Sequence, residues 1–69
     1  MEVAATVEGI RPYLIHSEEY RVVYYSHDDE RDTILNAQLS ADAVPANLRV
    51  GEQIIVQYLL GIVVAIRKA

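Results

Sequence analysis

The chain has no cysteine among its 69 residues. Disulfides are therefore excluded, and zinc sites built on thiolates with them. The same absence fits a reducing compartment. The two histidines, His16 and His27, leave little for a metal cage. Tryptophan and phenylalanine are also missing, so every aromatic side chain is one of five tyrosines. Positive charge is scarce: six Lys and Arg face ten Asp and Glu, for a net charge of −4. Nucleic-acid-binding domains usually carry a basic stripe, because their affinity comes from neutralising phosphates. Here Arg11, Arg21, Arg31, Arg49, Arg67 and Lys68 are scattered along the chain. No long apolar run exists either. The longest, Ile54 to Ile66, is interrupted by Gln57 and Gly61, and it is shorter than the roughly 20 residues of a membrane helix. The first residues lack a positive segment followed by an apolar one, so no signal peptide is expected. The expectation is a soluble, cytoplasmic chain with no membrane partner.

What is present is apolar. The composition is 52% hydrophobic, too much for a disordered chain. Residues 1–69 read as a single domain, since domains run about 50–250 residues. A chain this short buries only about 60% of its unfolded surface. Without disulfides or metals, association is the remaining way to reinforce such a core.

Five strand signals follow one another. In the first, Val3 to Tyr13, Val3, Ala5 and Val7 alternate with Ala4, Thr6 and Glu8. Gly9 then breaks the parity, which predicts a bulge or sharp bend. Pro12 lacks a ladder donor, so it ends the strand or sits at an edge. The second strand, Glu19 to Ser26, puts Tyr20, Val22 and Tyr24 on one face and Arg21, Val23 and Tyr25 on the other. After a polar loop, His27 to Arg31, the third strand, Asp32 to Leu39, places Leu35, Ala37 and Leu39 on one face. Ser40 is a candidate N-cap for a short helical or 3₁₀ turn over Ala41 to Val44, which Pro45 keeps short. Gly51 supplies a positive φ in the turn into the fourth strand, Gln53 to Tyr58. Gly61 does so in the hairpin to the fifth, Ile62 to Arg67. The expected inner face of this last hairpin is Ile54, Val56, Ile62, Val64 and Ile66.

The expected fold is all-β: a small five-stranded antiparallel barrel with one helical turn between strands three and four. The stretch Leu48-x-Val50-Gly51-Glu52-x-Ile54-x-Val56, then Gly61, then Val64-x-Ile66, resembles the end of an OB-fold domain. Cold-shock and translation-factor barrels close with a similar cadence. SH3-like barrels, with a 3₁₀ turn before the last strand, are the competing architecture. The OB resemblance implies a nucleic-acid-binding face on strands two and three. Cold-shock domains carry aromatic and basic residues there. This chain has Tyr20, Tyr24 and Tyr25 on strand two and no aromatic on strand three, so no site transfers residue by residue.

No motif specifies a reaction or a cofactor, and no catalytic residue or metal ligand is assigned. Ser26-His27-Asp28 has the residue types of a catalytic triad, but consecutive residues point apart whereas a triad must converge. Asp28, Glu30 and Asp32 have the opening spacing of a calcium loop, yet Thr33 stands where its glycine belongs and the later glutamate is missing. A solvated hairpin tip explains the cluster as well. The surplus lies in the last hairpin, where Ile55, Leu59, Leu60 and Val63 exceed what one core face needs. Apolar patches of this kind mark partner sites. The expected function is that of a non-catalytic interaction module, a homo-oligomer or the binder of a protein partner, using that face. The alternative is a barrel for single-stranded nucleic acid using Arg21 and Tyr25.

Overall fold

A computed structural model describes residues 1–69. The chain forms five strands and almost no helix: β1 Glu2–Ile15, β2 Glu18–His27, β3 Glu30–Ser40, β4 Gln53–Leu59 and β5 Ile62–Lys68. All pair antiparallel in one sheet of order β3-β2-β1-β4-β5. The expected closed barrel is not formed. β3 and β5 approach each other across the curled sheet, but no ladder joins them.

β1 organises the sheet. Its first half, Glu2 to Thr6, pairs with β4, and Ala5 to Ile15 pairs with β2. The two registers diverge at a bulge between Val7 and Gly9. Beyond it β1 has a partner on one side only, so Pro12 stands on an open edge and removes no bond from a second ladder. The bulge also frees Val7 to bind the loop before β4. The Val7 amide donates to the Glu52 carbonyl at 3.0 Å, and the Gly51 amide donates to the Val7 carbonyl at 2.8 Å. Gly51, at φ +92°, makes that return possible.

Three hairpin turns follow from local chemistry. His16-Ser17 and Leu60-Gly61 have positive φ at both central residues, the type I′ geometry that matches strand twist. Asp28-Asp29 joins β2 to β3, and the Asp28 amide is tied to the Ala4 carbonyl of β1 at 3.1 Å. The 3₁₀ turn spans Ala41–Ala43 as expected. Ser40 precedes it with extended backbone, but its hydroxyl makes no capping bond.

The core lies on one face of the curled sheet. It contains Ala5, Val7, Val23, Tyr25, Ala37, Leu39, Ile54, Val56 and Ile66, with Val44 entering from the loop. Of the two candidate faces of β2, the one bearing Val23 and Tyr25 is interior. Val23 is fully buried there. On β5 the expected alternation fails. The β4–β5 register shifts after Gln57, which pairs with Ala65 while Tyr58 pairs with Val63. Val64 is the extra residue. Val63 is therefore turned toward the core, and Ile62 and Val64 are exposed. No helix of the chain is long and apolar enough to cross a membrane.

Candidate functional site: the tip of the last hairpin

The β4–β5 turn carries two leucines that the core does not use. Leu59 is 63% exposed and Leu60 is 94% exposed. Ile62, across the turn, and Met1, beside the end of β4, are also largely exposed. Met1 is held there by two backbone bonds. The Tyr58 amide donates to the Met1 carbonyl at 2.7 Å, and the Met1 amine donates to the Tyr58 carbonyl at 2.9 Å. Met1, Leu59, Leu60 and Gly61, together with His27 and Tyr58, rim an open cleft of about 370 Å³.

Of the four residues expected at this surface, the structure keeps two together. Leu59 and Leu60 lie at the tip. Ile55 is half-buried in mid-strand, opposite Ala4 and Arg67. Val63 turns toward the core and is half-buried because of the bulge at Val64, and Ile62 is exposed instead. Sequence reading had no access to Met1, which reaches the tip only because β1 starts against the end of β4.

Beneath the tip runs a chain of three polar aromatic groups. The Tyr25 and Tyr58 hydroxyls are 2.8 Å apart, and the Tyr58 hydroxyl lies 2.9 Å from Nε2 of His27. Burial raises the pKa of Tyr25 well above the ordinary tyrosine value, and the bond to Tyr58 adds to the rise. Tyr25 and Tyr58 also line a cleft of about 430 Å³ between β3 and β5.

The residues of the apparent triad serve three separate partners. The Ser26 hydroxyl donates to Glu8 at 2.6 Å, His27 meets Tyr58, and Asp28 accepts from the Thr6 hydroxyl at 2.9 Å. Asp28 also pairs with Arg31 at 3.6 Å. No group of three or more His, Asp or Glu side chains is placed to hold a metal ion.

Of the pair expected as a surface for nucleic acid, Tyr25 faces inward and Arg21 is half-buried. Tyr25 is 2% exposed, so its ring offers no platform to a base. Arg21 lies on the same face and donates to Glu19 at 3.1 Å. The opposite face of β1–β2–β3 carries the accessible aromatics. Tyr13 stacks on Tyr20 with ring centroids 5.8 Å apart, and Tyr24 covers Gly9. Arg11, opposite Val22, belongs to this face. The bond from the Tyr20 hydroxyl to the Glu18 carboxylate raises the Tyr20 pKa. Four of the six basic side chains pair with carboxylates: Arg21, Arg31, Arg67 and Lys68. Comparison with protein-family models, with curated proteins and with solved structures finds no match to the chain.

Proposed function

We propose that this chain is a non-catalytic, OB-like interaction module that assembles with copies of itself through the tip of its β4–β5 hairpin. The strand order supports the OB-like reading over the SH3-like one. β1 lies between β2 and β4, and the 3₁₀ turn precedes the fourth strand, not the last. A five-stranded, partly open barrel is the OB architecture.

One observation carries the functional reading. Leu60 is 94% exposed and sits at φ +52°. A left-handed backbone is unfavourable for leucine, and a solvated side chain that size gains nothing from packing. Asparagine would suit the same turn position better and would suit water better. Leucine there makes sense when a second surface covers it. Leu59, Ile62 and Met1 around it extend the patch, and such patches mark association. Light scattering at rising protein concentration tests this. Leu59→Asp is expected to reduce assembly while leaving the far-UV circular dichroism spectrum unchanged. Assembly unaffected by that substitution refutes the tip as the interface.

The tyrosine-bearing face of β1–β2–β3 favours a second reading, a surface for single-stranded nucleic acid. Tyr13, Tyr20 and Tyr24 supply rings for stacking and Arg11 a free cation. The net charge of −4 and the carboxylate partners of most basic residues weigh against it. Fluorescence titration with mixed oligonucleotides at low salt decides it, because low salt is the most favourable condition for such binding. Saturable binding lost in Tyr24→Ala supports this second reading, and no binding removes it.

A further inference from the structure

We infer that His27 is a protonation switch for the β4–β5 tip, its uptake of a proton reversing the hydrogen-bond chain through Tyr58 to Tyr25. The switch, as a regulator of assembly, rests on the reading of the tip as an interface. The chain itself stands on geometry alone.

Three polar groups share two hydrogen bonds. Tyr25 is buried, and its hydroxyl has one partner, the Tyr58 hydroxyl at 2.8 Å. The Tyr58 hydroxyl has two, Tyr25 and the Nε2 of His27 at 2.9 Å. A neutral imidazole with its proton on Nδ1 presents Nε2 as an acceptor. The chain then runs one way: Tyr25 donates to Tyr58, and Tyr58 donates to His27. Every proton in it has an acceptor.

A protonated imidazole carries N–H on both nitrogens. Nε2 must now donate to the Tyr58 oxygen. Tyr58 turns its own proton to the Tyr25 oxygen, and the Tyr25 proton loses its acceptor at the base of the β3–β5 cleft. A buried donor without a partner is costly. Protonation also brings a positive charge to the rim of the cleft that Met1, Leu59 and Leu60 line. Both effects oppose an ordered, apolar tip.

Other groups around His27 do not hydrogen-bond its ring. Asp28, next in the chain, is held by Thr6 and Arg31. Glu30, opposite on β3, accepts from Thr33. On β4 the facing group is Tyr58, and on β1 the opposite residue is Ala5, which does not titrate. The Met1 amine is bonded to the Tyr58 carbonyl. Histidine as a side-chain type ordinarily changes charge between about pH 5 and 8, which sets the pH span of the test.

The absence of tryptophan and phenylalanine makes the test direct, because near-ultraviolet circular dichroism then reports tyrosines alone. The spectrum of the intact protein is expected to change between pH 8 and pH 5. In His27→Gln, which keeps an acceptor without gaining a charge, the change should vanish. His16→Gln, in the β1–β2 turn, should titrate like the wild type. Tyr25→Phe removes the proton that would be stranded and provides a second, conservative variant in which the acid change is reduced. A wild-type spectrum that is constant across this range overturns the proposal, as does a change that survives in His27→Gln or is undiminished in Tyr25→Phe. Sedimentation at the two pH values gives the functional arm. Assembly should be weaker at pH 5, because covering the tip would desolvate the charge at the cleft rim. Monomer at both values with an intact spectral transition keeps the switch and removes the reading of the tip as a self-association surface.

Discussion

At the scale of single residues, backbone conformation and side-chain character disagree in one place. Leu60 holds a positive φ in a type I′ turn, beside Gly61 at φ +80°. Replacing it by asparagine creates Asn-Gly, the pair this turn prefers. Leu60→Asn is expected to raise stability by about 0.5–1 kcal/mol while weakening assembly; thermal melts and light scattering on the same sample read the two effects. Tyr25 gives a second prediction at this scale. Its pKa in the folded protein is raised above the ordinary value of 10.0. The unfolded chain therefore loses this proton first as pH rises. The stability it contributes is complete below about pH 10 and declines as pH climbs toward the raised value. Melting temperatures from pH 8 to 11 should fall in the wild type and fall less in Tyr25→Phe, which has no proton to lose. Little of this was legible in the sequence. Tyr24 and Tyr25 had to face opposite ways, but only the packing of Val7, Val23 and Ile54 decides which is interior. The contact of His27 with Tyr58 joins residues 31 apart and has no local signal.

At the scale of elements, the parity of apolar residues carried most of the fold. The inner faces of β1, β3 and β4 alternate as the pleat requires, and the break at Gly9 announced the bulge. β5 departs from the expected alternation because its own bulge, at Val64, has no glycine to mark it. Every residue from Ile62 to Ile66 is apolar, so a shift of one position leaves the pattern equally apolar on both faces. The glycines separate into two kinds. Gly61 has no atom within 4 Å of where a Cβ would stand, so Gly61→Ala tests backbone alone. It should cost about 1 kcal/mol through the positive φ. Gly9 has ordinary φ, and an added Cβ would meet Tyr24 at 3.6 Å, a normal contact. Gly9→Ala is therefore expected to lie within about 0.5 kcal/mol of the wild type. Urea unfolding of the two variants checks the contrast; equal losses would show that Gly9 is needed for the bend itself.

At the scale of the whole molecule, the number of buried residues bears on the proposed association. Only 13 of the 69 residues are buried, although 52% of the chain is hydrophobic. The radius of gyration, 11.3 Å, is close to the roughly 11 Å expected for this length, so the exposed apolar residues are not the result of an expanded fold. Four of them, Met1, Leu59, Leu60 and Ile62, meet at the β4–β5 tip, while Leu14, Ile15, Ile34, Val50 and Val64 lie elsewhere. In a chain without disulfides, the proposed association through the tip would add stability. Sedimentation equilibrium of the intact protein and of Leu60→Asn at pH 8, over a wide concentration series, tests that claim most directly. The wild type should associate reversibly, and Leu60→Asn, equally folded, should remain monomeric under the same conditions. A wild type that stays strictly monomeric at the highest concentration, or a Leu60→Asn variant that assembles just as well, would contradict it.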